Sequence, residues 1–396
     1  MLLGRSTGGI GTHVAQLSAD LRDRGVDVIV VTHPITAQNF DLGPVRLWWP
    51  GSAGAVRALR DFRLLRRLAS TADIVHAHGH QGALLATLTT LDPRGRARPP
   101  KLGAPKVGAP KLIVSQHNAV LEGSGRQGLK RLAQRWVAHH ADLVTGASSD
   151  LVKEALAFGA GHAELAEVPS PRVPGLLAQP PADGATRARI AQTLLSSLAP
   201  SSLDVNEKDL AVPQLAVPQL AMPMVVTISR IAPQKNLPVL VEAASRLRQT
   251  CVWVVLGDGD PQLLAQLRRQ ASALAAPVHF VGARSDADRW LRAAEVFVLP
   301  SQWEARALVV QEAMAAGTPV VATDVGGLHD LVAGTGLLVI PGDPEAIAEA
   351  TDRVLAEPGL RDDLAARGRE VARGLPDGRD TASRWLAWYA ETLLMT

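Results

Sequence analysis

Several groups of residues in this chain have types and spacings suited to chemistry. Arg230 and Lys235 flank the short segment Ile231-Ala232-Pro233-Gln234, between a predicted strand and a helix beginning near Asn236. An arginine grips two oxygens in a planar fork, and a lysine acts as a mobile point charge. Beside the N–H groups of a helix start, the pair suits a diphosphate; taken alone, it is a solvated basic turn. Glu304 and Glu312 stand eight residues apart, a little over two helical turns. One carboxylate can lie at a strand end and the other along the helix Leu308–Ala316, each accepting hydrogen bonds from sugar hydroxyls. Glutamates are most often surface groups. Here Trp303 precedes the pair, and Ala313-Met314-Ala315-Ala316-Gly317-Thr318-Pro319 follows as a buried helix running into a strand.

Gly8-Gly9-Ile10-Gly11-Thr12-His13 follows a short first strand and opens a helix. Glycines there let the backbone approach an anion at the positive end of the helix dipole. The spacing is not the full dinucleotide fingerprint, and no acidic residue ends the second strand at Val31-Thr32-His33. A tight turn explains the glycines equally well. His117 ends the strand Leu112–Ser115, where a polar side chain meets ligand in open α/β sheets. His76, His78 and His80 alternate at another strand end, a spacing that raises metal ligation. No paired carboxylate or cysteine motif lies near them, so turn and supporting roles are expected. His139 and His140 end a helix, where a dipolar side chain is welcome. The pairs Asp258/Asp260 and Asp286/Asp288 are read as a glycine turn and as helix caps, not as a metal site. The single cysteine, Cys251, precedes a Val/Trp run and reads as a buried strand residue.

These residues need elements to position them. Short Val/Ile/Leu runs alternate with helical patterns through the first half: Val28–Val31, Asp73–Ala77, Leu112–Ser115 and Asp142–Thr145. The second half repeats the scheme with Met224–Ser229, Val252–Leu256, Val278–Val281, Val296–Leu299 and Pro319–Thr323. Apolar strands alternating with helices imply parallel sheets covered on both faces. The fold class expected is therefore α/β, two doubly wound Rossmann-like domains facing across a cleft. Residues 1–171 form the first domain, 172–223 a linker with a low-complexity insert and one helix at Ala185–Leu198, and 224–375 the second domain. Residues 376–396 form a C-terminal helix able to pack back on the first domain. A second low-complexity insert, Pro99–Pro110, reads as a surface loop.

The 396 residues are 47% apolar, enough for two full cores, and the formal net charge is +3. That balance permits an anionic ligand without demanding nucleic acid, and no stacking platform or helix-turn-helix pattern is present. Met1-Leu2-Leu3-Gly4-Arg5 lacks the features of a signal peptide. Leu210–Ile228 is free of charge, but Pro213, Pro218 and Pro223 would break a spanning helix. A cytoplasmic protein is expected, with contact to an anionic membrane as an option. Val56, Leu59, Phe62, Leu65 and Leu68 recur at helical spacing beside Arg57, Arg60, Arg63 and Arg67. Leu129, Leu132, Trp136 and Val137 do so beside Arg126, Lys130, Arg131 and Arg135. The expectation is that both apolar stripes face the core; the alternative is that this domain docks on anionic lipid.

Taken together, the motifs resemble glycosyltransferase family 4 of bacterial type. The resemblance rests on Gly8-Gly9 with Thr12-His13-Val14, on Asp73-Ile74-Val75-His76-Ala77-His78-Gly79 and on Ser115-Gln116-His117-Asn118. In the second half it rests on Arg230 with Lys235-Asn236, on Gly257-Asp258-Gly259, and on Pro300-Ser301 leading to Glu304 and Glu312. Gly317-Thr318-Pro319 through Gly326-Gly327, then Gly342-Asp343-Pro344, and the final helix with Trp385, Trp388 and Tyr389 complete it. The resemblance implies a GT-B fold and a retaining, metal-independent transferase without cofactor, using a nucleotide-diphosphate sugar and an acceptor of unknown type. It further implies that Arg230 and Lys235 clamp the diphosphate, that Glu304 holds the transferred sugar and that Glu312 holds the ribose. Gly9 touches the distal phosphate, Leu308 and Val309 join the donor site, and His117 faces the sugar near the acceptor. Where the family often has Gly-Phe-Gly after the first glutamate, this chain has Ala305-Arg306-Ala307, which bears on donor fit. The first strand is short, consistent with a few native residues ahead of Met1. An epimerase or phosphorylase on the same fold, or a non-catalytic relative, are the competing functions.

Overall fold

Strand runs buried on both faces pair in parallel, and each pairing register settles where a strand begins. A computed structural model describes residues 1–6, 8–47, 55–90, 109–119, 127–198 and 222–395; the side chains of 55–60 and 127 lie outside that description. The readings placed on 99–108, on 199–221 and on the side chains of Val56, Arg57, Leu59, Arg60 and Arg126 therefore fall outside the described residues. Two units divide the chain: Met1–Pro171 with Pro376–Thr396, and Arg172–Leu375.

The first unit runs β1 (Leu2–Leu3), α1 (Gly9–Asp23), β2 (Val30–Thr32), α2 (Pro34–Asn39), β3 (Val45–Leu47), α3 (Ala55–Thr71), β4 (Ile74–His78) and α4 (Gly79–Thr90). It continues through β5 (Lys111–Gln116), α5 (Gln127–His140), β6 (Leu143–Gly146), α6 (Ser149–Ala157) and β7 (Ala163–Leu165). The sheet is parallel, in the order β3-β2-β1-β4-β5-β6-β7. Strand alternation sorts side chains to two faces. Leu2, Val75, Ala77, Leu112 and Val114 meet Leu65, Ala83, Ala86 and Val137 of α3, α4 and α5. Leu3 and Ile113 meet Val14, Leu17 and Leu21 of α1, together with Ala382, Trp385 and Tyr389 near the C-terminus.

The second unit opens with α7 (Val173–Leu177) and α8 (Gly184–Ser196). Then follow β8 (Met224–Ile228), α9 (Leu237–Ser245), β9 (Val252–Leu256), α10 (Pro261–Ala273), β10 (Val278–Phe280), α11 (Ala287–Ala293) and β11 (Val296–Leu299). It closes with α12 (Leu308–Ala316), β12 (Val320–Thr323), α13 (Gly327–Val332), β13 (Leu337–Val339), α14 (Pro344–Ala356) and α15 (Pro358–Arg373). The parallel order is β10-β9-β8-β11-β12-β13. The last helix, α16 (Gly378–Leu394), belongs to the first unit and carries Trp385 and Tyr389 into its core.

Several expectations need adjusting. The second strand is Val30–Thr32 rather than Val28–Val31, because Val31 and Thr32 pair with Leu2 and Leu3. Val28 is buried all the same, so apolarity marked the core but not the ladder. The stretch read as linker holds two helices, and Val173, Leu176, Ala191, Leu194 and Leu195 lie in the second unit's core. The apolar stripe of α5 splits. Val137 is buried and Trp136 half-buried, whereas Leu129 and Leu132 are 70% and 63% exposed. No helix among the described residues is long and apolar enough to cross a membrane.

Candidate functional site

Both sheets reverse winding direction at one place, between β1 and β4 in the first unit and between β8 and β11 in the second. Open α/β sheets bind ligand outside the carboxyl ends of the strands at such a switch point. In the second unit, Arg230 follows β8 and Glu304 follows β11, so the switch point brings together residues 74 positions apart. Arg230 is exposed, and Lys235 sits in a 3-10 turn, Pro233–Lys235. Asn236 next to it takes a left-handed backbone, φ 52°, which turns the chain into α9.

Glu304 is buried and accepts two charge-assisted or polar hydrogen bonds on one oxygen. Lys235 Nζ pairs with its Oε1, and Ser301 Oγ donates to the same atom at 2.7 Å. The loop around it is fastened from three sides. Gln234 Nε2 donates to the Trp303 carbonyl at 2.7 Å, Thr323 Oγ1 to the Ser301 carbonyl at 2.6 Å, and Gly327 N–H to the Glu304 carbonyl at 2.9 Å. Gly326 has φ 50°, and a Cβ there would stand 2.2 Å from the Glu304 carbonyl oxygen, so this close approach needs glycine. Similarly, a Cβ on Gly257, φ 136°, would meet the Ser229 carbonyl oxygen at 1.9 Å, immediately before Arg230.

Glu312 is buried on α12, which is covered along Val310–Ala316. Its Oε2 lies 3.6 Å from Arg172 Nη1. The start of α12 has no side-chain cap at Ala307, and Leu308 and Val309 form its first turn half-exposed. The leading N–H groups of a helix lack internal partners and can face an anion. Lys235, Glu304, Leu308, Val309 and Glu312 therefore line one end of this sheet and the helix leaving it. A buried carboxylate held by a cation, a basic turn and a helix start can receive a polyhydroxylated anion.

In the first unit, Gly9 begins α1, capped at Gly8 without a side-chain bond. His117 is buried just beyond β5. A polar layer lies with it, on the sheet face that packs against α1 and α16. His76 is bonded through Nδ1 to Tyr389 Oη and through Nε2 to Ser115 Oγ, both at 2.8 Å, and Ser115 bonds Thr145 Oγ1 at 2.8 Å. His78 Nδ1 lies 3.1 Å from His117 Nε2, and the two rings stack with centroids 5.4 Å apart. His13 of α1 meets the His117 ring edge-on at 5.6 Å. Burial lowers the pKa of His13 to about 4 and of His117 to about 3, and holds His76 and His78 well below the usual histidine range. Burial likewise pushes the Cys251 thiol up to about 12, as fits a core residue rather than a nucleophile.

Asp258 accepts from the Ala283 N–H at 3.1 Å, and Asp260 caps α10 through Gln262 and Leu263. Asp286 stands at the start of α11 but makes no capping bond; it accepts from the Trp290 indole at 3.3 Å instead. His80 leaves the histidine layer and bonds the Asn118 carbonyl at 2.8 Å. Reading the sequence assigned no role to Ser301, Gln234 or Arg172, because nothing in their spacing links them to the glutamates. Only the Pro300-Ser301 dipeptide among the family motifs pointed at one of them.

Comparison with known proteins follows the same division. The glycosyl transferases group 1 family matches residues 222–357, and the glycosyl transferase 4-like domain family matches residues 8–171. A lipopolysaccharide core biosynthesis glycosyltransferase, LpsE of Rhizobium meliloti, is 35% identical over 155 residues, which is 38% of this chain and 45% of LpsE. A D-inositol 3-phosphate glycosyltransferase of Kineococcus radiotolerans is 28% identical over 417 aligned residues, covering 93% of this chain and 87% of that protein. For LpsE and for the Jonesia denitrificans D-inositol 3-phosphate glycosyltransferase, the match spans under half of the relative's length, 45% and 43%. Among solved structures, Anabaena Alr3699/HepE in complex with UDP-glucose superposes with a TM-score of 0.75 at 19% identity, covering 99% of this chain and 98% of HepE. A sucrose-phosphate synthase from Thermosynechococcus elongatus gives 0.70 at 22% identity, covering 98% and 94%. With the two family matches on the two units and this fold around their switch points, the chain belongs to the family 4 glycosyltransferases of GT-B type.

Proposed function

We propose that this protein is a retaining glycosyltransferase that moves a hexose or related sugar from a nucleotide-diphosphate sugar to a glycolipid, polysaccharide or small-molecule acceptor. The observation that carries the reading is the buried Glu304 held by Lys235 and Ser301 at the switch point, with Glu312 on the adjoining helix. Arg230 and Lys235 bind the diphosphate and stabilise the charge that grows on it as the sugar leaves. Leu308 and Val309 contribute N–H groups at the helix start. Glu304 orients the transferred sugar and Glu312 the ribose. From the first unit, Gly9 approaches the distal phosphate and His117 the sugar near the acceptor. In front-face attack the leaving phosphate takes the acceptor proton, so retention needs no further base. The protein acts without a resident cofactor, the lysine and arginine supplying the positive charge. HepE was crystallised with UDP-glucose, so UDP sugars come first in testing.

The test is a thermal-shift panel of UDP, GDP and ADP sugars on the full chain. A donor at 100 times its Kd should stabilise by about 2.7 kcal/mol. Glu312→Ala should raise the donor KM about tenfold or more, roughly 1.4 kcal/mol, with the fold intact. A panel without any shift, together with unchanged KM in Glu312→Ala, would leave the assignment without support. Sugar interconversion in place of transfer would move it to an epimerase.

The acceptor is proposed to be reached at an anionic membrane by the α3–α4–α5 face. Leu64, Leu84, Leu88, Leu129 and Leu132 are exposed there, with Arg63, Arg67, Arg131 and Arg135 exposed along α3 and α5. Apolar side chains amid basic ones suit shallow insertion, each basic group adding about 1 kcal/mol near the surface. Full-length protein should co-sediment with vesicles containing anionic lipid but not with neutral ones. Arg63→Glu combined with Arg131→Glu should lower the bound fraction, as should added salt. Absence of binding to anionic vesicles at low salt would leave a soluble acceptor.

A further inference from the structure

The histidine layer of the first unit holds more than the transfer reaction uses. We propose that His13, His78 and His117 form a binding site for a divalent transition-metal cation, with Zn2+ the best match. Each offers one ligand nitrogen, and these atoms all lie within 4.8 Å of one another. In a tetrahedral site with Zn–N bonds of about 2.0–2.1 Å, neighbouring nitrogens stand roughly 3.3 Å apart. The His78 Nδ1 to His117 Nε2 separation is already 3.1 Å. Three separate segments deliver the rings: α1, the end of β4 and the end of β5. Below them, His76 is fixed by Tyr389 and Ser115, so both its nitrogens are used and it stands outside the cluster.

The chemistry of the donor set selects the cation. Nitrogen ligands without carboxylates suit zinc, copper, nickel or iron and disfavour magnesium and calcium. Burial disfavours the protonated form of all three imidazoles, and the unprotonated form is the one that coordinates. His78 Nε2 is buried and has no hydrogen-bond partner among the described residues, and the His13 ring meets the rings of His78 and His117 edge-on, with centroids 6.0 and 5.6 Å apart. Zinc bound there would replace the hydrogen bond between His78 Nδ1 and His117 Nε2 with bonds to both nitrogens. Three protein ligands also leave a fourth position for water or an added ligand. Regular spacing pointed elsewhere: of His76, His78 and His80, only His78 joins the cluster.

The experiment uses the full chain, stripped with chelator, desalted and titrated with Zn2+ or Co2+. About one Zn2+ per chain should survive a second desalting, and Co2+ should give the intense visible bands of a four-coordinate site. His13→Gln and His117→Gln should each lose both signals, whereas His139→Gln with His140→Gln, away from the cluster, should keep them. Zinc retained by His13→Gln, or only the pale spectrum of six-coordinate cobalt in the unaltered chain, would overturn the site. The cobalt spectrum decides even where a variant fails to fold. The consequence for activity rests on the proposed function: zinc takes a nitrogen of His117 and slows transfer, and excess chelator restores the rate. A chain that binds zinc but transfers no sugar even after chelator has removed the metal would refute the transferase and leave the site standing. A rate abolished by chelator and rescued by zinc would overturn the inhibitory role.

Discussion

Lys235→Ala is expected to lower kcat by about 10²–10³-fold, the loss typical of removing one preorganised donor from a developing oxyanion. The same substitution strands a charge. Glu304 is 8% exposed, and its Oε1 keeps only the Ser301 hydroxyl once the ammonium is gone. Breaking one side of a buried ion pair costs about 3–5 kcal/mol. Two effects thus travel together, and a third variant separates them. Glu304→Gln added to Lys235→Ala removes the stranded charge, so much of the stability should return while kcat stays low. Donor turnover gives the first quantity and chemical denaturation the second. Recovery of activity in the double variant would mean that Lys235 serves the loop and not the leaving group. An unaltered kcat in Lys235→Ala would remove the lysine from the diphosphate site.

Acidification should open the first unit before the second. Nine of the eleven histidines lie in the first unit, leaving His279 and His329 in the second. The linkage has one sign throughout. Burial depresses the folded-state pKa of His13 to about 4 and of His117 to about 3, while the unfolded chain takes up protons near 6.5. The unfolded state then binds more protons in between, so stability is complete above about pH 6.5 and declines as pH falls toward the folded values. At about 1.36 kcal/mol per pH unit, each of these two loses roughly 2 kcal/mol between pH 6.5 and 5. His76 and His78 act in the same direction. Hydrogen exchange at both pH values should show protection in β4, β5 and α16 falling faster than in β8, β9 and β11. His13→Asn should flatten the dependence. Equal loss of protection in both units would show that the histidine layer is not what acid attacks.

Sequence periodicity alone determined that the chain forms two parallel α/β sheets, because strands covered on both faces must be continuously apolar and those runs are plain to read. It also located Arg230, Lys235, Glu304 and Glu312 at strand ends and on a helix, since glycine turns and helix patterns bracket them. Boundaries were less legible. Thr32 and not Val28 lies in the second strand, because ladder pairing with β1 decides it and that neighbour is remote in sequence. The exposed Leu129 and Leu132 were read with Val137 as one inward stripe, since helical spacing says which residues share a face but not how far the covering sheet extends. Ser301 and Gln234 reach the glutamate loop only by folding, and their types recur throughout any chain. The histidine cluster is the clearest case. Its alternating signature at His76, His78 and His80 was visible, yet two of those three point to other partners, while His13 and His117 complete the group from elsewhere. Alternation along a strand is a local property, whereas three nitrogens within reach of one another depend on sheet order and on the helix laid across it.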